Sequence, residues 1–232
     1  MTDDFATPAR FQGPTADLPL RGQTILVVED SRLASEALRL MCYRSGARIR
    51  RADCLRAAQR HLQTYRPAAI IVDMGLPDGN GADLIAMIRA APAGALPVIG
   101  LSGDPDLAGE ALNAGADRFL TKPIASLALF QRTVLELLKQ DRPAGEPSVD
   151  GPPLPPDPAA LADDLSHAAA LLDRGRPGMG YAARFLAGVA RDAHDEALHA
   201  AARALSRDVS AVAALSRARG LLEARLATMD ML

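Results

Sequence analysis

Several residue types are scarce in this sequence of 232 residues. It has no tryptophan, three tyrosines and five phenylalanines, so aromatic side chains contribute little to any hydrophobic core. Its two cysteines, Cys42 and Cys54, form neither a Cys-x-x-Cys pair nor a pattern with histidine, which argues against a disulfide framework or a zinc site. Only two of the 26 basic residues are lysines, Lys122 and Lys139. A lysine in this sequence therefore calls for a specific explanation.

The sequence also lacks a large charge of one sign and a long apolar run. Its net charge is −2, whereas domains that bind nucleic acid through bulk charge are usually strongly basic. The longest uncharged stretch, residues 90–103, contains two prolines and is too short to span a bilayer. The first four residues include two aspartates where a secretion signal would be basic. We therefore expect a cytoplasmic protein that has no membrane contact, and nucleic acid is not expected as a partner.

Proline is concentrated in one segment. Residues 141–158 hold seven of the 17 prolines. Proline fixes φ and removes a backbone donor, so this segment is predicted to be an extended linker rather than a helix or a central strand. The linker divides the chain into a block at 23–140 and a block at 159–232. Residues 1–22, which contain three more prolines, are predicted to be a flexible N-terminal arm.

The block at 23–140 alternates between short apolar runs and helical segments. Strands are predicted at 24–28, 47–52, 69–72, 97–101 and 118–121. Each is followed by a predicted helix, at 31–45, 53–65, 82–91, 104–114 and 124–139. Five βα units in succession predict an α/β fold, a doubly wound five-stranded parallel sheet with helices on both faces. The second strand is rich in arginine, which favours an edge position.

The block at 159–232 has no strand pattern. It carries nine arginines and nine acidic residues, so its net charge is zero. Apolar residues, many of them alanine, recur at helical spacing near 159–173, 179–205 and 208–229. We therefore predict a small all-α domain of three helices.

Polar side chains follow four of the five predicted strands. Glu29 and Asp30 follow the first strand, Asp73 follows the third, Ser102 the fourth and Lys122 the fifth. The carboxyl ends of parallel strands meet at one edge of the sheet, so these groups should converge. Three close carboxylates repel one another unless a cation is bound, and a set of oxygen ligands suits Mg²⁺. A carboxylate in such a site can accept a phosphoryl group whose oxygens are neutralised by the metal and the ammonium.

The segments that carry these residues resemble the receiver domain of two-component response regulators. They read Val-Val-Glu-Asp at 27–30, Val-Asp-Met-Gly-Leu-Pro-Asp-Gly at 72–79, Leu-Ser-Gly at 101–103 and Thr-Lys-Pro at 121–123. The resemblance covers half of the chain. It implies a flavodoxin-like receiver in a bacterial phosphorelay, and a sensor histidine kinase or a phosphotransfer protein as the donor of the phosphoryl group.

The resemblance also implies roles in the phosphoryl chemistry. Asp73 would be the phosphoacceptor and would become an aspartyl phosphate. Lys122 would pair with the phosphoryl group, and Ser102 would donate a hydrogen bond to it. Ser102 and Phe119 would be the switch residues, although a phenylalanine lacks the hydroxyl that a tyrosine would supply at that position. Such a protein is not expected to be an enzyme beyond its own phosphorylation and dephosphorylation.

The metal site implied by the resemblance holds Mg²⁺ as the cofactor. Its ligands would be Glu29, Asp30, Asp73 and the backbone carbonyl of Gly75. Asp30 would bind the ion directly, and Glu29 would act largely through water.

The output of the helical block is open to several interpretations. We favour signalling through protein–protein association, in which residues 159–232 form a homodimer or bind a protein target, because small Ala-rich domains often need a partner. A DNA-binding transcriptional regulator is the alternative, with a helix-turn-helix within 205–219. A phosphate sink is a third possibility. A phosphotransfer module would use His167, His194 or His199, but none of these has the Lys-Gly pattern of such modules.

Overall fold

A parallel sheet of five strands lies at the centre of the N-terminal half of the molecule. The computed structural model describes residues 13–91, 96–139, 155–175, 178–209 and 211–229. The strands are β1 (Thr24–Val28), β2 (Arg48–Ala52), β3 (Ala69–Asp73), β4 (Gly75–Leu76), β5 (Gly79–Asn80), β6 (Val98–Ser102) and β7 (Arg118–Thr121). Five of them form the sheet in the order β2-β1-β3-β6-β7, with every neighbouring pair parallel. Strands β4 and β5 form a short antiparallel hairpin after β3.

Helices cover both faces of the sheet, as predicted for a doubly wound fold. They are α1 (Arg32–Arg44), α2 (Leu55–Thr64), α3 (Gly81–Ala90), α4 (Ala108–Asn113) and α5 (Leu127–Leu137). One apolar core joins α1 and α5 to the sheet, and a second core joins α2, α3 and α4 to the opposite face. Strands β3 and β6 are buried along their whole length, which explains their continuous apolar sequences. Arginine-rich β2 lies at an edge, as predicted.

The end of the predicted N-terminal arm is part of the folded domain. Leu20 is fully buried in the core beneath α1 and α5, and its amide donates to the carbonyl of Ser45 (2.8 Å). The prediction of a flexible arm over 1–22 is therefore wrong at this end, because one buried leucine anchors the segment. Residues 1–12 lie outside the described residues.

The C-terminal block contains four helices in its described parts. They are α6 (Pro158–Asp173), α7 (Met179–Asp192), α8 (Glu196–Arg207) and α9 (Val212–Met229). The prediction of three helices is wrong because 179–205 is broken after α7. His194 adopts a left-handed φ of 57°, and Asp195 begins α8 by accepting a hydrogen bond from the Leu198 amide. Apolar side chains from all four helices share one core.

The predicted linker over 141–158 lies mostly outside the described residues. Its last residues belong to α6, because Pro158 is the first residue of that helix and Asp157 caps it by accepting from the Ala160 amide (2.8 Å). Within the described parts of the chain, no helix is long and apolar enough to cross a membrane.

Candidate functional site

Three carboxylates meet where β1 and β3 end. These strands are neighbours in the sheet, and ligand atoms of Glu29, Asp30 and Asp73 lie within 4.8 Å of one another. Backbone donors fix two of the side chains. The Ser31 amide donates to Glu29 Oε1 (3.1 Å), and the Gly75 amide donates to Asp73 Oδ2 (2.9 Å). The structure therefore brings these acids together at the carboxyl edge of the sheet, as predicted.

Lys122 extends into this cluster from the end of β7. Its Nζ lies 2.6 Å from Glu29 Oε2 and 2.8 Å from Asp73 Oδ1. Burial alone lowers the pKa of Lys122, but the charges of Asp73 and Glu29 outweigh burial and hold that pKa well above its ordinary value. Lys122 is therefore a fixed, permanently charged partner for the acids.

The acidic cluster is short of positive charge despite Lys122. Burial, together with the charges of Asp73 and Asp30, raises the pKa of Glu29 well above its usual range, in spite of the attraction to Lys122. Burial, with a contribution from the charge of Asp73, raises the pKa of Asp30 to about 6. A divalent cation would relieve this repulsion, and an oxygen-only set of donors fits Mg²⁺. The residues present therefore fit the expected magnesium site, with the Gly75 amide hydrogen-bonded to Asp73.

Of the two predicted switch residues, Ser102 lines the cleft beside the acidic cluster and Phe119 does not. Ser102 ends β6 and lines the same cleft as Asp73, and its hydroxyl accepts a hydrogen bond from the Asp104 amide (3.1 Å). Phe119 does not line this cleft. Its ring is half-buried against Gly100, where an added Cβ would lie 3.2 Å from the ring, and it joins the core on the α4 side.

The C-terminal helices form a second wall of the site, which the sequence did not predict. A cleft of about 600 Å³ is lined on one side by the acidic cluster and Lys122 and on the other by residues of α7 and α8. The Tyr181 hydroxyl donates to Asp30 Oδ2, and burial raises the pKa of Tyr181 well above its ordinary value. Asp192 is largely buried, and burial raises its pKa to about 6 against the attraction of Lys122. Arg191 lies against Gly103, so that a side chain at position 103 would collide with its guanidinium.

Another buried carboxylate joins the helical domain to the receiver half. Asp164 of α6 is 2% exposed and accepts hydrogen bonds from the Ser31 hydroxyl and from the Arg32 and Leu33 amides. The sequence held a signal for this contact, because Asp164 falls at the four-residue spacing between buried Ala160 and Ala168. An acid on the apolar face of a helix indicates a polar partner, although it does not identify that partner.

The three histidines considered as phosphotransfer candidates have other surroundings. The ring of His167 makes an edge contact with Phe185, and His194 lies in the turn between α7 and α8. His199 Nδ1 lies 2.8 Å from the carbonyl oxygen of Ala187, which ties the ring to the neighbouring helix. None of the three lines the cleft beside Asp73.

The parallel sheet with its acidic pocket, buried lysine and neighbouring hydroxyl is the arrangement expected of a receiver domain. Residues 25–134, just under half of the chain, match the family model of the response regulator receiver domain. The match ends before the C-terminal helices, which it does not assign.

Curated relatives match the same part of the chain. The KDP operon transcriptional regulatory protein KdpE of Escherichia coli is 38% identical over 101 residues, 43% of this chain and 44% of that protein. The virulence transcriptional regulatory protein PhoP of Salmonella typhimurium is 38% identical over 102 residues, 43% of this chain and 45% of that protein. The chain thus spans less than half the length of these relatives. Since both are named as transcriptional regulators, they do not bear out the expectation that nucleic acid is not a partner.

Solved structures of similar proteins cover the receiver half. A response regulator from Chloroflexus aurantiacus is 29% identical and covers 51% of this chain and 98% of its own, with a TM-score of 0.49. The receiver domain of sensor histidine kinase PA1611 from Pseudomonas aeruginosa is 29% identical and covers 51% of this chain and 99% of its own, with a TM-score of 0.48. That structure is described as having a magnesium ion coordinated in the active site cleft.

Proposed function

We propose that this chain is a response regulator that accepts a phosphoryl group on Asp73 from a histidine kinase or phosphotransfer protein. The observation that carries the proposal is the position of the Asp73 carboxylate. Its Oδ1 contacts Lys122 Nζ, its Oδ2 contacts the Gly75 amide, and it faces the same cleft as the Ser102 hydroxyl. An acceptor oxygen therefore lies beside a cation, an amide and a hydroxyl, all of which suit an incoming phosphoryl group.

The transfer forms a bond between an Asp73 oxygen and phosphorus and breaks the bond between phosphorus and the donor. Lys122 stays next to the acceptor throughout, because its side chain is also held by Glu29. Its charge offsets the negative charge that the phosphoryl oxygens bring into a largely buried site. The Ser102 hydroxyl, which accepts a hydrogen bond in the described structure, keeps its own proton to donate to a phosphoryl oxygen. Mg²⁺, held by Glu29, Asp30, Asp73 and the Gly75 carbonyl, would supply the remaining positive charge.

The output in this proposal is association of the helical domain, either with itself or with a protein target, in the cytoplasm. The neutral charge of residues 159–232 and the Ala-rich core of α6 to α9 support this function. Catalysis is limited to the protein's own phosphorylation and dephosphorylation.

Labelling with a small acyl phosphate tests the acceptor. The full chain is incubated with acetyl phosphate and MgCl₂, and intact mass is measured. We expect addition of one phosphoryl group to the wild type and none to Asp73→Asn. Asp106→Asn, which changes an exposed acid near the cleft, should be labelled as the wild type is. Absence of labelling in the wild type, or equal labelling of Asp73→Asn, would contradict the proposal.

Regulation of transcription through DNA is the second candidate, because KdpE and PhoP are named as transcriptional regulators. A duplex titration of the full chain, with and without a phosphoryl mimic, distinguishes the two functions. DNA binding through phosphate contacts weakens steeply with salt. Binding that shows this dependence would favour the second candidate, and its absence even at low salt would favour protein association.

A further inference from the structure

The helical wall of the cleft carries positive charge opposite the acidic cluster. Helices α7 and α8 contribute four arginines to the lining of the cleft, Arg184, Arg191, Arg203 and Arg207. In the described parts of the chain, none of the four forms an ion pair with an acid. An anion held between the two walls would therefore meet guanidinium groups whose charge no described ion pair neutralises.

Arg191 is the arginine that touches the receiver beside the strand of the acceptor. Strands β3 and β6 are neighbours, with Asp73 opposite Leu101, so Ser102 and Gly103 follow directly on the neighbouring strand. The guanidinium of Arg191 lies against Gly103, where its Nη1 would be 1.4 Å from an added Cβ. The glycine thus leaves the space that the guanidinium occupies, one residue beyond the hydroxyl expected to bind the phosphoryl group.

The surroundings of Arg191 favour an additional negative charge. Its side chain is half-buried, and burial together with the charge of Arg203 lowers the pKa of Arg191 despite the attraction of Asp192 and Asp104. An arginine nevertheless keeps its charge at neutral pH. A partly desolvated guanidinium near a second guanidinium is stabilised when an anion binds beside it.

Phosphoryl transfer creates the anion that fits this position. In the transition state the negative charge is spread over the three equatorial oxygens of the phosphoryl group. Lys122 shares its charge with Glu29 and Asp73 on the receiver wall. Arg191 lies on the other wall, and a guanidinium offers two N–H donors in a plane that can bind two oxygens of one phosphoryl group.

We propose that Arg191 is a catalytic residue that the helical domain supplies to phosphoryl transfer at Asp73, where its guanidinium binds the equatorial oxygens of the transferring group. This inference rests on the proposed function. Phosphorylation forms the bond from Asp73 to phosphorus as the bond to the donor breaks. In hydrolysis water adds to phosphorus as the bond to Asp73 breaks, which gives the carboxylate, inorganic phosphate and a proton. Arg191 stabilises the same oxygens in both reactions and accelerates both.

Rates of labelling and of label loss test this role. The full chain is mixed with acetyl phosphate and MgCl₂, intact mass is followed with time, and the donor is then removed so that hydrolysis can be followed alone. Arg191→Ala should slow both reactions about tenfold or more. Arg191→Lys keeps the charge without the planar pair of donors and should recover part of each rate. Arg217→Ala is the matched control, because Arg217 is an exposed arginine of α9 outside the cleft lining.

Hydrolysis separates catalysis from other roles of the arginine. It uses water instead of the donor, so slower hydrolysis cannot arise from weaker attraction of an anionic donor. Slower labelling with unchanged hydrolysis would reduce Arg191 to a docking site for the donor. Faster hydrolysis in Arg191→Ala would show that the arginine shields the phosphorylated product. Either result would overturn the inference.

Gly103→Ala approaches the same contact from the receiver. Its methyl group would collide with the guanidinium of Arg191 and displace it, so labelling should slow as it does in Arg191→Ala. The double variant should be no slower than Arg191→Ala alone, because the arginine that the methyl group displaces is then absent. A slowing by Gly103→Ala that is equally large in both backgrounds would show that this contact does not matter, and would contradict the inference.

The same measurements distinguish this inference from the proposed function. If the wild type takes up no phosphoryl group, or if Asp73→Asn is labelled equally, the proposed function fails. If the wild type is labelled on Asp73 and Arg191→Ala is labelled and hydrolysed at the same rates, the acceptor stands and only the role of Arg191 is overturned.

Discussion

Lys122 is the cation that pairs with two buried acids of the site, Glu29 and Asp73, in the described parts of the chain. Glu29 and Asp73 each have an oxygen within 2.8 Å of its ammonium, and the Glu29 side chain is 1% exposed. Lys122 is also one of only two lysines in a chain whose other basic residues are arginines. A compact ammonium fits between two carboxylates where a planar guanidinium would need a wider space.

Replacing Lys122 by Met should destabilise the metal-free protein, because it leaves a buried acid without its counter-charge. We expect a loss of roughly 3 kcal/mol in the free energy of unfolding at neutral pH. Urea unfolding followed by far-UV circular dichroism measures this, since the chain has no tryptophan for fluorescence. Adding Glu29→Gln to the variant should recover part of the loss. A Lys122→Met protein as stable as the wild type would show that the ion pairs contribute nothing to folding.

The raised pKa values of the acids in the cleft predict an unusual dependence of stability on pH. Asp30 and Asp192 have a pKa of about 6 in the folded protein, against about 4 when unfolded. Between these values the folded state holds more protons than the unfolded state, so the free energy of unfolding falls as pH rises through this window. Without metal, the melting temperature should therefore rise when pH is lowered from about 7 to about 5. Saturating MgCl₂ should abolish the rise, because it stabilises the ionised acids.

Asp192→Asn tests whether the rise in melting temperature at low pH comes from the acids with a raised pKa. The variant should show a smaller rise in EDTA, because one of the acids with a raised pKa is gone, whereas Asp163→Asn, at an exposed position, should behave as the wild type does. A melting temperature that falls on acidification in EDTA would contradict the pKa shifts.

The sequence predicted only the receiver side of the candidate site. Glu29, Asp30, Asp73, Ser102 and Lys122 could be found because each follows a recognisable strand, and parallel strands bring their ends to one edge. Tyr181 and Asp192 could not be found in this way. They lie more than fifty residues beyond the last strand, on helices whose spacing indicates an apolar face but not the surface that this face covers.

At the scale of elements, strands were predicted more reliably than the helices of the second block. β-branched runs between turn residues gave all five sheet strands to within about a residue. The break between α7 and α8 was missed because apolar residues continue through it at helical spacing, from Val189 to Ala193 and Ala197. Local capping decides the break, since His194 takes a left-handed conformation and Asp195 starts the next helix.

Asp195 joins three helices and gives a test at this scale. Its Oδ1 caps α8 through the Leu198 amide (3.0 Å), and its Oδ2 pairs with Arg225 Nε of α9 (2.7 Å), which lowers its pKa. Asp195→Ala should lower the free energy of unfolding by about 1–2 kcal/mol. Asp195→Asn keeps a capping oxygen and should cost less, about 0.5 kcal/mol at neutral pH. Urea unfolding of both variants measures the difference, and equal losses would assign the effect to the ion pair instead of the cap.

At the scale of the whole molecule, the two halves share one functional surface. The receiver half presents its acidic cluster; α7 lies against that cluster, and α6 lies against the start of α1. The face of the helical domain that contacts the receiver is therefore hidden while the two are docked.

Molecular mass in solution tests whether phosphorylation leads to self-association. Light scattering after size exclusion should give a larger mass for the wild type with MgCl₂ and beryllofluoride, a mimic of the phosphoryl group, than for the free protein. Asp164→Ala, which loosens docking without any ligand, should show the larger mass in both conditions, whereas Asp163→Ala should follow the wild type. The comparison is informative because Asp164→Ala leaves the acidic cluster intact, so its effect must arise from the freed helical face. If the Arg32 and Leu33 amides of Asp164→Ala exchange faster with solvent yet the variant keeps the mass of the free wild type, the exposed face does not bind a second copy, and self-association is not the output of the helical domain.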